Sequence, residues 1–370
     1  MDDHAGLLTI DRAALAANWR LLAVRAGGAE CAAVVKADAY GLGLEHAVPA
    51  LAAAGCRSFF VAHVGEGFIA RAYAPDAAIY VLNGFAAGRI STYRSHRLRP
   101  VLGSAAEIEA WHQLGAGCEP AALHVDTGMN RLGLRPEEAR VLIEAGNLAE
   151  RGIGLLMTHF ASAEIADAPE NAAQITRISD LAALMRSRGG ANAAIPVSLA
   201  NSSGLFLPGA PFFDLARPGY ALYGGNPVPG RPNPMRPVIR LEAPIVQIRA
   251  VPAGECVGYN GNWRAARASR IATISCGYAD GYPRNAGNSP DHPGGRAIVA
   301  GRECPFAGNV SMDLITLDIT ALPEGAVRPG DMATLIGDGL DLDAVGRSAR
   351  TTGYEILTNL GRRYRRVIRD

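Results

Sequence analysis

The chain has 370 residues, 49% of them apolar and 19% charged, with a formal net charge of +1 at neutral pH. This composition describes a globular protein of about two domains, long enough to bury a large core, and excludes a disordered chain. A near-neutral balance with no basic run before the C-terminus argues against nucleic acid as the main partner.

Six cysteines stand at positions 31, 56, 118, 256, 276 and 304, with no CxxC pair among them. Neither a disulfide framework nor a zinc site is expected, and no metal is assigned. The start, MDDHAGLLTIDRA, lacks a basic segment followed by an apolar one. No stretch reaches transmembrane length without charge. A cytoplasmic location with no membrane partner is the expectation.

Along the first 225 residues, short apolar runs alternate with helical stretches. The runs read as strands at 31–37, 58–64, 78–84, 99–104, 121–127, 154–160, 196–202 and 213–219. Between them lie helix-like segments such as LEHAVPALAAAG, AAEIEAWHQLGAG, PEEARVLIEAGN and ENAAQITRISDLAALMRSRG. The last has apolar spacing near 3.6 and stops at glycine. Such alternation predicts parallel βαβ units. About eight of them match a (β/α)8 (TIM) barrel, preferred over a doubly wound open sheet because the count closes and no GxGxxG opens a helix.

The text changes near residue 226. NPVPGRPNPMRP (226–237) is proline-rich and reads as an interdomain connection. The runs VIRLEAPIVQIRAV, SRIATISCGY, RAIVAGREC, LITLDIT and MATLIG that follow are β-branched and alternating, as in an antiparallel sheet. A helix is expected around LDAVGRSARTTGYEILTNLG, and the basic end GRRYRRVIRD (361–370) reads as a solvated or helix-end cluster. The division is a barrel over 1–228 and a mainly antiparallel β domain over 229–370.

In a barrel, chemistry sits where the strands end. Lys36 lies near the end of the first strand, Arg131 follows the fifth, His159 ends the sixth, Asn201 and Ser202 end the seventh, and Arg217 lies near the end of the eighth. Cations, a histidine and small polar groups thus converge on one face. A lysine at such a rim is read either as a snorkelling side chain or as an amine whose pKa is lowered for Schiff-base chemistry. Arg217-Pro-Gly-Tyr is either an ordinary turn or a place where backbone N–H groups meet a phosphate, with Ser202 adding a hydroxyl. A lysine with a phosphate site suggests pyridoxal phosphate. Tyr259 stands between glycines in GECVGYNGNW; GYADGYPR (277–284) and GNVSMD (308–313) are polar loops.

These segments resemble the alanine racemase family. AVVKADAYGLG (33–43) is very similar to that family's cofactor-lysine segment. DTGMNRLG, MTHFASAE, the Asn201-Ser202 pair, ARPGYALYG, GYADGYPR and VSMD follow in family order. The resemblance spans the chain and implies a homodimer whose active sites draw on both subunits, interconverting L-alanine and D-alanine and supplying D-alanine for peptidoglycan. It implies that Lys36 binds the cofactor and acts as base on one face of the substrate. By the same resemblance, Tyr259 of the other subunit would be the base on the opposite face. Arg217 would stand opposite the pyridine nitrogen, with His159 beside it, and their charge would favour ionised Tyr259. Tyr40, Ser202, Gly219, Tyr220 and Tyr354 fall where the family holds the phosphate. Arg131 matches the arginine that meets the substrate carboxylate. Met312, Asp313 and Tyr278 match the side of the pocket and its entrance built by the other subunit.

Three positions depart from the family pattern: His124 where a carbamylated lysine is frequent, Asn309 where arginine is frequent, and Tyr220 in place of a small aliphatic. The competing readings are a racemase for another or a broad range of amino acids, a barrel-type decarboxylase, and a non-catalytic cofactor-binding homeostasis protein. The β domain and the Tyr259 loop argue against the last, which needs no second base.

Overall fold

The computed structural model describes residues 6–289 and 291–370. The first five residues of the chain start read above lie outside the described residues.

Seven parallel strands form a continuous sheet in chain order: Ala33–Val34, Ser58–Val61, Ala78–Val81, Leu98–Leu102, Ala121–His124, Ile153–Met157 and Val197–Ser198. The eighth strand, Leu215–Ala216, closes the ring. It pairs in parallel with Glu30–Cys31, the leading half of the first strand. On its other side Asp214 N–H donates to Val197 O at 3.0 Å and Arg217 N–H to Ala200 O at 2.8 Å. The expected eight-stranded barrel is therefore present. Its strands are shorter than the apolar runs, because each run continues into the loop that carries chemistry. Ser58–Val61 is buried at every position, as a strand covered on both faces must be.

Helices Arg12–Arg25, Leu44–Ala54, Val64–Tyr73, Ala105–Leu114, Pro136–Glu144 and Pro169–Ser187 surround the ring. Asn18, 1% exposed inside the first of them, explains how the proline-rich connection is fixed. Its amide donates to Leu222 O and Arg236 O and accepts from Arg236 N–H. A buried amide with three bonds ties the connection to the barrel, whereas an unpaired one would be destabilising.

The second domain is an eight-stranded sheet built on Ile239–Val251. The first part of that strand alternates buried and half-buried residues, the period of a half-covered strand. It pairs antiparallel with Ser269–Ile274 and Met332–Ile336. Two features differ from expectation. Leu7–Asp11, read as part of the 1–228 barrel unit, belongs to this sheet, antiparallel to Ile239–Val251. The basic tail, read as a solvated or helix-end cluster, forms the strand Arg365–Arg369, parallel to Leu7–Asp11. Arginines flanking Val367 and Ile368 give that edge strand charges that discourage further pairing. The predicted C-terminal helix is two short ones, Leu342–Ser348 and Gly353–Thr358. One apolar core runs from the barrel into the sheet.

Candidate active site

The C-terminal rim of the barrel encloses a cavity of about 660 Å³. Lys36, Tyr40, Arg131, His159, Asn201, Ser202, Arg217, Gly219, Tyr220 and Tyr354 all line it, together with His124. Strand ends one and five to eight deliver most of these groups; Tyr354 comes from the second domain. The volume falls in the range of small-molecule and cofactor sites.

Lys36 is presented by an unusual backbone. Ala37, Asp38, Ala39 and Tyr40 all have φ between 53° and 54°, a left-handed turn that costs roughly 1–2 kcal/mol per residue. Its stabilisation comes from several directions. Glu66 Oε1 accepts from Asp38 N–H at 3.1 Å, and Asp38 Oδ1 accepts from Leu44 N–H at 2.9 Å. Arg366, on the last strand of the second domain, donates to Gly41 O at 2.9 Å. A side chain at Gly41 would start 2.3 Å from Leu357 O, so the turn packs directly on the second domain. Strain held in place by surrounding structure is common beside reactive groups. Burial lowers the Lys36 pKa, Arg131 lowers it further, and Glu66 opposes them.

Arg217 is 3% exposed. It donates to Ser198 Oγ and to Thr158 O. Burial lowers its pKa to about 10, so it remains cationic at neutral pH. It also donates to His159 Nδ1 at 3.4 Å. An Nδ1 that accepts leaves the His159 proton on Nε2. Burial and then Arg217 hold the His159 pKa well below the usual value. The expectation that His159 is a cation favouring tyrosinate is thus corrected: it is neutral, and Arg217 is the charge. Beneath it Gln174, fully buried, donates to His159 O and Thr127 Oγ1 and accepts from Ala161 N–H. This bonded amide fixes the strand end that carries the histidine.

Ser202 Oγ accepts from Gly219 N–H at 3.0 Å and Ala221 N–H at 3.2 Å, which leaves its own proton to donate. A Cβ on Gly219 would lie 2.3 Å from the Tyr40 hydroxyl, so only glycine fits this floor. Tyr40 stacks on Tyr223 at 4.6 Å. Burial raises its pKa and keeps the phenol protonated. Asn201 lines the cavity, but its Oδ1 accepts from Gly204 N–H at 2.8 Å and shapes the turn that presents Ser202. Asp126 organises the loop of Arg131, its carboxylate accepting from the N–H groups of Gly128, Met129 and Arg131.

His124 lies at this cavity with its pKa lowered to about 4, first by burial, then by Arg217. It is neutral in the folded protein. Its unfolded pKa is near 6.5, so the unfolded state gains a proton that the folded state does not as pH falls towards 4. This contribution to stability is present above that range and lost on acidification. Urea midpoints at pH 7 and pH 4.5 should therefore converge in His124→Gln relative to the parent; an equal acid loss in both would refute the assignment.

Tyr259, Met312, Tyr278 and Asp313 lie elsewhere in this chain. None lines the cavity, and the first three are 68%, 54% and 40% exposed. The Tyr259 turn uses Gly258 at φ 75° and Asn260 at φ 63°. Asn309, one of the departures from the family pattern, donates to Tyr259 O at 3.1 Å and accepts from Asn262 Nδ2 at 3.1 Å. Asp313 pairs with Arg363 at 2.8 Å, and Arg363 also binds buried Asp280. Sequence reading missed Glu66, Glu164, Gln174 and Asp343. Glu66 alone left a signal, lying three residues after His63 at a helix start, where its carboxylate accepts from His63 N–H.

A closed parallel barrel whose rim holds an amine of lowered pKa, a buried arginine and a glycine–serine cradle defines a barrel enzyme for a small phosphorylated ligand. The family model "Alanine racemase, N-terminal domain" matches residues 10–227, and "Alanine racemase, C-terminal domain" matches residues 238–368. The alanine racemase of Methylobacterium sp. (strain 4-46) is 53% identical, covering 99% of this chain and 98% of that protein. That of Acidiphilium cryptum (strain JF-5) is 54% identical, covering 98% of each. Among solved structures, the alanine racemase of Bartonella henselae with covalently bound pyridoxal phosphate superposes with a TM-score of 0.89 at 38% identity, over 98% of this chain and 99% of that one. The biosynthetic enzyme of Pseudomonas aeruginosa also gives 0.89, at 35% identity over 99% of each. The chain belongs to the alanine racemase family.

Proposed function

We propose that the protein is a pyridoxal-phosphate-dependent alanine racemase, acting in the cytoplasm as a homodimer with shared active sites and supplying D-alanine for peptidoglycan. The observation that carries this reading is the convergence of Lys36, Arg217 and the Ser202–Gly219 cradle in one cavity of about 660 Å³. The residues fit the cofactor. The glycine floor that any Cβ would fill, beside a serine hydroxyl free to donate, suits a phosphate. Arg217, charged and buried, suits an unprotonated ring nitrogen, since it donates and cannot accept. All six cysteines are free, and no described helix is long and apolar enough to cross a membrane.

When bound, pyridoxal phosphate supplies the electron sink for the pair left on the substrate α-carbon. The residues do the rest. Lys36 Nζ, with its lowered pKa, takes or returns the α proton on one face. Tyr259 Oη of the other subunit serves the opposite face. Arg131 binds the substrate carboxylate. Arg217 keeps its proton, which holds the electron demand low and disfavours transamination. Ser202, Tyr40 and the backbone N–H of Tyr220 would hold the phosphate over the Gly219 floor, with the Tyr354 ring beside them, and Asn201 presents Ser202. Met312, Asp313 and Tyr278 shape the entrance from the other subunit. The exposure of Tyr259 supports that division: a base outside the cavity of its own chain has work only in another's.

The test is incubation with L-alanine and pyridoxal phosphate in deuterated water, following optical rotation and α-proton exchange together. Loss of rotation with α-deuteration is expected. No change in either, with cofactor bound, would refute alanine as substrate.

A further inference from the structure

Tyr220 contributes more to this cavity than a backbone N–H. Its side chain is 4% exposed and stacks on Tyr354, with ring centroids 3.9 Å apart and planes inclined by 13°. Its hydroxyl donates to Asp343 Oδ1 at 2.9 Å, and Asn226 N–H donates to Asp343 Oδ2 at 3.0 Å. Both oxygens of a carboxylate in the first turn of Leu342–Ser348 are therefore held from the barrel side. The next helix, Gly353–Thr358, carries Tyr354. Gly353 makes room for the contact: a Cβ there would meet the Tyr220 hydroxyl at 1.7 Å. The far side of Tyr354 is fixed by its hydroxyl, which donates to Glu164 Oε1 at 3.2 Å.

We propose that Tyr220, strapped to Asp343, is a positioning residue that sets the Tyr354 ring at the phosphate end of the cavity and thereby governs how tightly pyridoxal phosphate is held. A small aliphatic side chain at 220 could supply neither the stack nor the bond to Asp343. The geometry also explains why the carboxylate is tolerated near a phosphate site. Both of its oxygens accept from donors on the barrel side, one of them the Tyr220 hydroxyl. This inference rests on reading the cavity as a pyridoxal phosphate site.

The experiment strips cofactor from the full-length protein and titrates it with pyridoxal 5′-phosphate, following absorbance and tryptophan fluorescence. Tyr220→Phe keeps the ring and loses the bond, so the Kd should rise about threefold; Tyr220→Ala loses both and should weaken binding about tenfold or more. The discriminating arm is a double-mutant cycle: in a Tyr354→Ala background, Tyr220→Phe should change the Kd by less than about twofold. A purely structural role would give the same penalty in both backgrounds, and that additivity would overturn the proposal. So would unchanged Kd values for Tyr220→Phe and Tyr220→Ala. If the parent protein itself shows no titration, the cofactor reading fails instead, which the parent curve reports separately.

Discussion

On the proposed mechanism, Lys36→Ala should lower the kcat of racemisation by at least about 10³, because it would remove both the amine that bonds the cofactor and the proton-transfer group on one face. The substitution should leave the fold intact. Lys36 is half-buried at the cavity, and neither the left-handed turn after it nor the Glu66 bond to Asp38 uses its side chain. Pyridoxal phosphate should still bind without a covalent link through Ser202, Gly219 and Arg217. Absorbance spectroscopy would then show bound cofactor without the band of the lysine-linked form. Added methylamine, a small amine with access to the cavity, should restore a fraction of the exchange of the α proton. Retention of the lysine-linked band in this variant would refute the assignment, and full activity would refute the mechanism. The lowered pKa of Lys36 adds a pH expectation of definite sign. Burial and Arg131 favour the neutral amine, so activity should persist to lower pH than a free lysine permits. Arg131→Ala removes one of these influences, so the acid limb of kcat should move towards alkaline pH.

The barrel was legible because each strand is a short apolar run bounded by turn residues, a local signal that the fold preserves. The rim residues were legible for the same reason: a lysine, a histidine or an arginine closing an apolar run stands out. The misplaced parts depend on distant partners. Leu7–Asp11 reads as a strand from its own residues, but its place beside Ile239–Val251 is set by a pairing more than 200 residues away. The tail Arg365–Arg369 looks like a charge cluster until Leu7–Asp11 is beside it. The left-handed turn at 37–40 carries no glycine, so the usual marker of positive φ is absent. The neutral state of His159 follows from burial beneath Arg217, a consequence of closing the ring. In the sequence Tyr220 reads only as a replacement for a small aliphatic at the phosphate position, because Asp343 and Tyr354 lie more than 120 residues further along the chain.

Tyr259→Phe should lower racemisation by about 10²–10⁴ while cofactor binding stays near that of the parent, since it removes only a proton-transfer hydroxyl. The effect should be uneven. With Lys36 as the remaining base, exchange of the α proton with solvent should survive from one enantiomer and fail from the other. Full activity in this variant would sink the two-base scheme. The stronger test uses the geometry, because Tyr259 is 68% exposed and does not line the cavity of its own chain. Mixing Lys36→Ala and Tyr259→Phe proteins, each expected to retain at most about 1% of parent activity alone, should form hybrid dimers with one intact site made from the good half of each subunit. Random exchange would restore about a quarter of the parent activity. Were Tyr259 to act within its own chain, no hybrid could hold both bases at one site, and mixing would restore nothing. Asn309 bears on the same test. By bonding Tyr259 O and Asn262 it fixes the loop that must reach across, so Asn309→Ala should weaken the restored activity more than it weakens cofactor binding. The exposed tyrosine, with no partner in its own cavity, thus becomes the feature that distinguishes a shared active site from two separate ones.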